Sequence, residues 1–238
     1  MSADAPRYWV AIPAAGIGSR MRGAVPKQYL RLLGRPVIEH TLAIFLDHPR
    51  IHGIVLALHP QDSEWPRCEY ADESRVTTLP GGDARADSVL AMLDWLLPRA
   101  APGDWVLVHD AARPCLLRED LDRLLTRAAA HSVGGLLGAP VVDTVKRADA
   151  AGEVAETVSR ERLWHALTPQ MFRVGMLHAA LSDALARGLA VTDDASAMEL
   201  AGHRPLLVEG SRSNLKITRP DDLPLATFFL TSQANGES

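Results

Sequence analysis

Phosphate chemistry is within reach of four features of this chain: a run of very small residues, two cations just beyond it, an aspartate closing a buried stretch, and a lysine between apolar neighbours. The run is Ala14-Ala15-Gly16-Ile17-Gly18, followed by Arg20 and then Pro26-Lys27-Gln28-Tyr29. Ala14, Ala15, Gly16 and Gly18 carry almost no side chain, so backbone N–H groups in such a loop can press against phosphate oxygens. Arg20 and Lys27 add full positive charge beside that cradle. Asp110 ends the apolar stretch Trp105-Val106-Leu107-Val108-His109. If the phosphate ligand carries a divalent ion such as Mg²⁺, which favours one or two carboxylates plus phosphate oxygens, Asp110 is the best-placed carboxylate to hold it. An aspartate in that position is ordinarily a cap for the next helix, and that alternative stays open. Lys216, between Leu215 and Ile217, is expected to point away from the core, toward solvent or a ligand. His109 has no second histidine at zinc spacing and reads as a packed core residue.

The elements that must position these residues follow from hydrophobic patterning. The small-residue loop leaves Tyr8-Trp9-Val10-Ala11-Ile12, a first buried strand. Two common loop types are excluded: no Gly-Lys-Ser/Thr follows Gly18, and Met21 stands where a dinucleotide fingerprint needs its third glycine. Apolar residues from Pro36 to Leu46 recur at helical spacing, with Pro36 suited to the first turn, and Ile54 to Leu58 is a strand covered on both faces. Val76 to Leu79 is the next strand, ending in Pro80-Gly81-Gly82-Asp83-Ala84-Arg85-Ala86-Asp87-Ser88 before another helix. Leu117 to Ala128 is an amphipathic helix and Gly134 to Val142 a strand. Val141 to Arg147 and Val154 to Arg160 are rich in β-branched residues around a turn, which predicts a polar β-hairpin arm over about 141–160. An isolated hairpin is marginal in water, so a second subunit is its simplest partner. Leu163 to Gln170 leads into a helix through Met176 and Leu185. Thr192 and Asp193 look like the start of another helix, and Leu206 to Val208 and Leu215 to Ile217 like short strands. The polar stretch from His59 to Arg75 is mostly loop or short helix. The implied fold is α/β: a Rossmann-like, mostly parallel twisted sheet flanked by helices, with a protruding arm.

With 238 residues, 47% of them hydrophobic, the chain can bury one substantial core and is expected to form a single domain over 1–238. A formal charge of −4 argues against a nucleic-acid or anionic-membrane surface, while small anionic substrates need only a local basic patch. Cys68 and Cys115 lack CxxC spacing and read as free thiols. The segment before Tyr8 has no apolar signal-peptide core, and no apolar run reaches a membrane span, so a soluble cytoplasmic protein is expected.

The loop resembles those of sugar-nucleotide transferases, and the chain as a whole is similar to the 2-C-methyl-D-erythritol 4-phosphate cytidylyltransferases of isoprenoid precursor synthesis. The resemblance runs from the first strand to Leu223 through PAAGIGSRM with PKQY, GGDARADSV, HDAARP, PVVDTVKR, SRERLWHALTPQ, TDDASAME and NLKITRPDD. It implies a cytidylyltransferase that joins CTP and a polyol phosphate, releasing pyrophosphate, with Mg²⁺ as cofactor and a homodimer built through the arm. By the same resemblance Arg20, Lys27, Asp110 and Lys216 are catalytic, Lys216 meeting the α-phosphate. Ala14, Ala15, Gly16, Gly18, Gly82, Asp83, Ser88 and Ala111 hold the nucleotide. Arg113, Thr144, Arg160, Thr168, Thr192 and Asp193 receive methylerythritol phosphate, with Arg160 expected to act on the other subunit's site. Three alternatives are weighed against this: a ribitol-phosphate cytidylyltransferase with the same loop chemistry, a nicotinamide-dependent oxidoreductase, and a nucleotide-binding regulator without catalysis. The oxidoreductase wants an acid at the end of the second strand, where this chain has Leu58-His59.

Overall fold

The computed structural model describes residues 5–16 and 25–236, and Gly18 and Arg20 lie outside the described residues. In chain order the elements are β1 (Tyr8–Ala14), β2 (Arg31–Leu32), β3 (Arg35–Pro36), α1 (Val37–Leu46), β4 (Ile51–Leu58), β5 (Val76–Pro80), α2 (Arg85–Leu96), β6 (Trp105–Val108) and α3 (Arg118–Ala129). Then follow β7 (Gly134–Pro140), β8 (Val145–Ala148), β9 (Val154–Val158), β10 (Trp164–Arg173), α4 (Val174–Ala186), α5 (Asp194–Leu200), β11 (Leu206–Glu209) and α6 (Asp222–Ala234).

Side chains along a strand alternate between the two faces of its sheet, so an unbroken apolar run can be stable only where both faces are covered. β1 meets that condition. Val10 and Ile12 pack with Leu42 and Phe45 of α1 and Leu121, Leu124 and Leu125 of α3. Trp9 and Ala11 point the other way, onto Val89, Met92 and Leu93 of α2 and Leu177 and Leu181 of α4. A third, smaller cluster seats Ala226 of α6 against Leu32, Val37, Ala112, Cys115 and Ile217.

Among the described residues, seven strands form the main sheet in the order β11-β7-β10-β6-β1-β4-β5. β10 alone runs antiparallel, pairing β6 on one side and β7 on the other, while the remaining pairs are parallel. This is the mostly parallel α/β sheet read from the sequence. The registers Ala14↔Leu58 and Leu58↔Pro80 set the carboxyl ends of β1, β4 and β5 side by side, and Ala11↔Val108 brings the end of β6 beside them. Because β10 points the other way, its first half returns to that same edge, with Gln170 opposite Val108. Among the described residues β8 and β9 pair only with each other, as a hairpin carried on the connection between β7 and β10.

Three readings need correction. The sequence presents Leu163 to Gln170 only as a lead into a helix, yet most of it belongs to β10, the antiparallel strand in the middle of the sheet. Proline cannot donate to a strand ladder, and Pro169 sits where the pairing with β7 breaks, between Ala166 and Gln170. Leu215 to Ile217 is no strand but an extended loop, tied by the Ile217 N–H to the Ala112 carbonyl at 2.8 Å. Pro36 closes β3 and flanks α1, which begins at Val37.

Candidate active site

Two adjoining clefts open at the carboxyl edge of the sheet. The first is lined by Ala14, Ala15, Gly16, Lys27, Gly82, Asp83, Ser88 and Ala111, and the second by Arg113, Thr168, Gln170, Thr192 and Asp193. Arg85, Asp110 and Lys216 line both and form the wall between them.

The first cleft is shaped by close backbone packing. The buried Gln28 amide donates to the Ala14 carbonyl at 2.8 Å, docking the Pro26–Tyr29 turn against the end of β1. This places Lys27 at the cleft, with Nζ 3.3 Å from the Ile217 carbonyl. At the β5–α2 turn the Gly81 N–H donates to the Leu58 carbonyl at 2.7 Å. A Cβ on Gly81 would fall 2.4 Å from the Ala15 Cβ, and one on Gly82 2.4 Å from the Asp87 Cβ, so both turn positions require glycine. The Ser88 hydroxyl accepts from the Gly82 N–H at 3.1 Å and so braces the turn from the cleft wall. Gly16 is exposed, and among the described residues nothing lies within 4 Å of where its Cβ would be. The described chain itself does not require glycine there, whereas a ligand lying on that backbone would.

Asp110 is the electrostatic centre. Its Oδ1 accepts from Arg85 Nε at 3.1 Å, and its Oδ2 from Arg113 Nε at 3.2 Å and Lys216 Nζ at 2.9 Å. Burial opposes ionisation of this carboxyl, but Arg85, Lys216 and Arg113 together hold it well below the usual carboxylate range. The helix-cap alternative fails, because the next helix, α3, starts at Arg118 with Leu117 as its cap. His109 is fully buried, and its ring nitrogens lie 3.0 Å from the Thr168 hydroxyl and 3.1 Å from the Arg113 carbonyl. Burial pushes its imidazole down to about 4, so it is neutral, the packed core histidine that the sequence indicates. Thr168 uses its hydroxyl twice, toward His109 and as acceptor of the Asp110 N–H at 3.2 Å, and so fixes the Asp110 backbone from across the sheet. Lys216 is returned to Asp110 by its neighbours: Asn214 donates to the Thr168 carbonyl at 2.7 Å and Arg113 to the Asn214 carbonyl at 2.8 Å.

In the second cleft Asp193 caps α5, its Oδ1 accepting from the Ser196 N–H at 2.9 Å, while its Oδ2 accepts from Gln170 at 2.8 Å. The capping role read from the sequence and a place on the cleft wall thus coexist. Gln170 also accepts from the Ala195 N–H at 2.7 Å, tying β10 to the start of that helix. Thr144 and Arg160 line neither cleft of their own chain. Arg160 is exposed at the base of the arm, its guanidinium donating to the Val142 carbonyl.

Sequence reasoning gave no role to Arg85, whose Nη2 also binds Asp194 Oδ2 at 2.8 Å. A signal was present. Arg85 is the first residue of a helix, where its charge opposes the helix dipole, so helix stability does not explain it. Burial pushes the Asp194 carboxyl above its ordinary value, against the pull of Arg85. Lys27, Arg85, Arg113 and Lys216 line the two clefts beside Asp83, Asp110 and Asp193, so cations stand throughout both clefts where anionic ligands can meet them. No group of three or more His, Cys, Asp or Glu poised for a metal occurs among the described residues. Asp83 and Asp110 are the carboxylates that line the first cleft, and one or two carboxylates are what Mg²⁺ carried on phosphate oxygens would take from a protein.

The 2-C-methyl-D-erythritol 4-phosphate cytidylyltransferase family profile matches residues 8–232. The chain belongs to that family. It is 57% identical over 223 residues to the 2-C-methyl-D-erythritol 4-phosphate cytidylyltransferase of Pseudomonas aeruginosa, covering 93% of this chain and 95% of that one. The enzyme of the same name from Ectopseudomonas mendocina is 57% identical over 218 residues, covering 91% and 93%. The crystal structure of the Francisella tularensis 2-C-methyl-D-erythritol 4-phosphate cytidylyltransferase superposes with a TM-score of 0.82 at 36% identity, covering 94% of this chain and 99% of that one. Cytidylyltransferase family membership also excludes the oxidoreductase reading.

Proposed function

We propose that this chain transfers the cytidylyl group of CTP to 2-C-methyl-D-erythritol 4-phosphate, giving 4-diphosphocytidyl-2-C-methyl-D-erythritol and pyrophosphate. The observation that carries this, beside family membership, is the pair of clefts divided by one wall of Arg85, Asp110 and Lys216. Two anions bound on either side of that wall would meet at the α-phosphorus.

The acceptor phosphate is already an anionic nucleophile, so no general base is needed. Catalysis is then positioning plus neutralisation of charge. The Ala14–Gly16 backbone, with Gly18, Gly82, Asp83, Ser88 and Ala111, would receive the nucleotide. Lys27, with Arg20, would hold the triphosphate and the departing pyrophosphate. Asp110 would hold Mg²⁺ carried on the triphosphate, an ion that neutralises the charge on its oxygens. Lys216, whose Nζ lies 2.9 Å from Asp110, would meet the α-phosphate. Arg113, Thr168, Thr192 and Asp193 would receive the acceptor, completed by Thr144 and Arg160 of a second subunit. The homodimer is supported by the exposed hairpin, in which Val154 is 65% exposed and β8 and β9 pair only with each other. The enzyme is read as a cytoplasmic, single-domain one; no helix among the described residues is long and apolar enough to cross a membrane.

The test is pyrophosphate release from each of the four ribonucleoside triphosphates with methylerythritol phosphate or ribitol 5-phosphate. Release confined to CTP and methylerythritol phosphate is expected. Preference for ribitol 5-phosphate, or CTP binding without release, would overturn the proposal.

A further inference from the structure

Arg85 stands where the two clefts meet, and its guanidinium is divided between them. Nε donates to Asp110 Oδ1 at 3.1 Å and Nη2 to Asp194 Oδ2 at 2.8 Å. Asp110 lies just beyond β6, whereas Asp194 opens α5, whose cap, Asp193, lines the second cleft. The two carboxylates belong to segments 84 positions apart in sequence and differ in kind. Asp110 has two further cations, Arg113 and Lys216, while Asp194 is 1% exposed and Arg85 is its only ion-pair partner among the described residues. A planar fork can bind two carboxylates at fixed separation, which a lysine ammonium at the end of a flexible stem does not. Arg85 also opens a helix, where positive charge is unfavourable, so its place there is explained by what it binds.

We propose that Arg85 is a positioning residue for the transfer reaction, a strut that fixes the Asp110 carboxylate relative to the acceptor-side helix α5 and so sets the approach of the acceptor phosphate to the nucleotide. This rests on the cytidylyl-transfer reading. The strut does its work through Asp110 and Asp194. Its loss therefore shows in turnover and in the acceptor KM, with the CTP KM moving far less.

The experiment measures thermal stability and steady-state kinetics of Arg85→Met, Arg85→Met with Asp194→Asn, and Arg85→Lys beside the unaltered chain. Arg85→Met leaves Asp194 buried without its partner, so it lowers both Tm and turnover. Adding Asp194→Asn removes that lone charge. The expected result is recovery of Tm with kcat/KM for the acceptor still about 100-fold down and the CTP KM within about 3-fold, the size of effect that misplacement of about an ångström produces. Arg85→Lys keeps the charge and is expected to fold normally with acceptor kcat/KM at least about 10-fold down, which decides the matter if the double variant does not fold. Turnover that returns with Tm in the double variant, or full activity in Arg85→Lys, would make Arg85 a purely structural ion pair and overturn the proposal. An unaltered chain that releases no pyrophosphate would instead overturn the reaction itself.

Discussion

The wall between the clefts and the hairpin arm are built from the same residue types, arginine paired with carboxylate, yet they are held in opposite ways. At the wall, Asp110 is gripped by three cations, its backbone is fixed from β10 by Thr168, and Lys216 is steered by Asn214 and Arg113. On the arm, Arg147 and Glu156 meet at 2.5 Å, and Lys146 reaches Thr157 at 2.6 Å, all on an exposed ribbon. An ion pair in bulk water is worth little, while one inside a network bounded by core strands is fixed in place. The lesson is that the single chain defines the position of Asp110 and its neighbours, and leaves the position of Thr144 and Arg160 to whatever covers the arm.

The sharpest probe of the packed side is Cys115, which lies in the α6 cluster and is fully buried. Burial pushes its thiol from 9.0 up to about 12, so below pH 9 the thiolate fraction falls about a thousandfold. Iodoacetamide labelling at pH 8 followed by mass spectrometry is expected to find Cys115 protected until denaturant unfolds the chain; rapid labelling of the native protein would show the site's support to be loose. Next in size, Lys27→Ala is expected to slow turnover by about 10² to 10³ with the fold retained, since removing one preorganised charge contact costs about 3 to 4 kcal/mol in the transition state. Near-normal turnover in a folded variant would remove Lys27 from the site.

The arm is probed by mixing inactive Arg160→Ala protein with inactive Lys27→Ala protein under conditions that exchange subunits. If Arg160 serves the other subunit, one site of a mixed dimer carries both defects and the other neither, and activity returns toward half per mixed dimer. Verified exchange without recovery would place Arg160 outside the reaction in trans. The smallest expected effect is Arg147→Ala. The unfolding free energy from urea titration is expected to fall by less than about 1 kcal/mol, because Arg147 and its partner Glu156 are both exposed. A larger loss of stability would mean that the arm is covered and that its charges work in a desolvated interface.

The parts of this molecule that could be read from sequence are those where one physical rule acts alone. β1, β4 and β6 are continuous apolar runs because helices cover both faces, and the glycines at 81 and 82 mark a turn because Ala15 and Asp87 crowd it. β10 is hidden because two rules conflict within it: Pro169 has no N–H for a strand ladder and argues against a strand that the neighbouring β6 and β7 nevertheless complete. Arg85 was hidden for a related reason. Its partners, Asp110 and Asp194, lie 25 and 109 positions away, and no local pattern announces a contact at that distance. Lys216 is legible as a residue turned from the core, but its apolar neighbours mimic a strand, since Ile217 is buried against Ala112 and Cys115 in a loop.

The antiparallel β10 also dictates an order of assembly. β1, β4, β5 and β6 are complete once the chain has reached Val108, and they can pair as a parallel sheet. The far edge of β6 must then wait for a strand whose Thr168 closes onto Asp110 across 58 positions of sequence. On a ribosome adding about 5 to 20 residues per second, that is an interval of several seconds in which an apolar strand edge stands open to neighbouring nascent chains. The strand that finishes the catalytic edge is therefore also the one that ends the period of greatest aggregation risk.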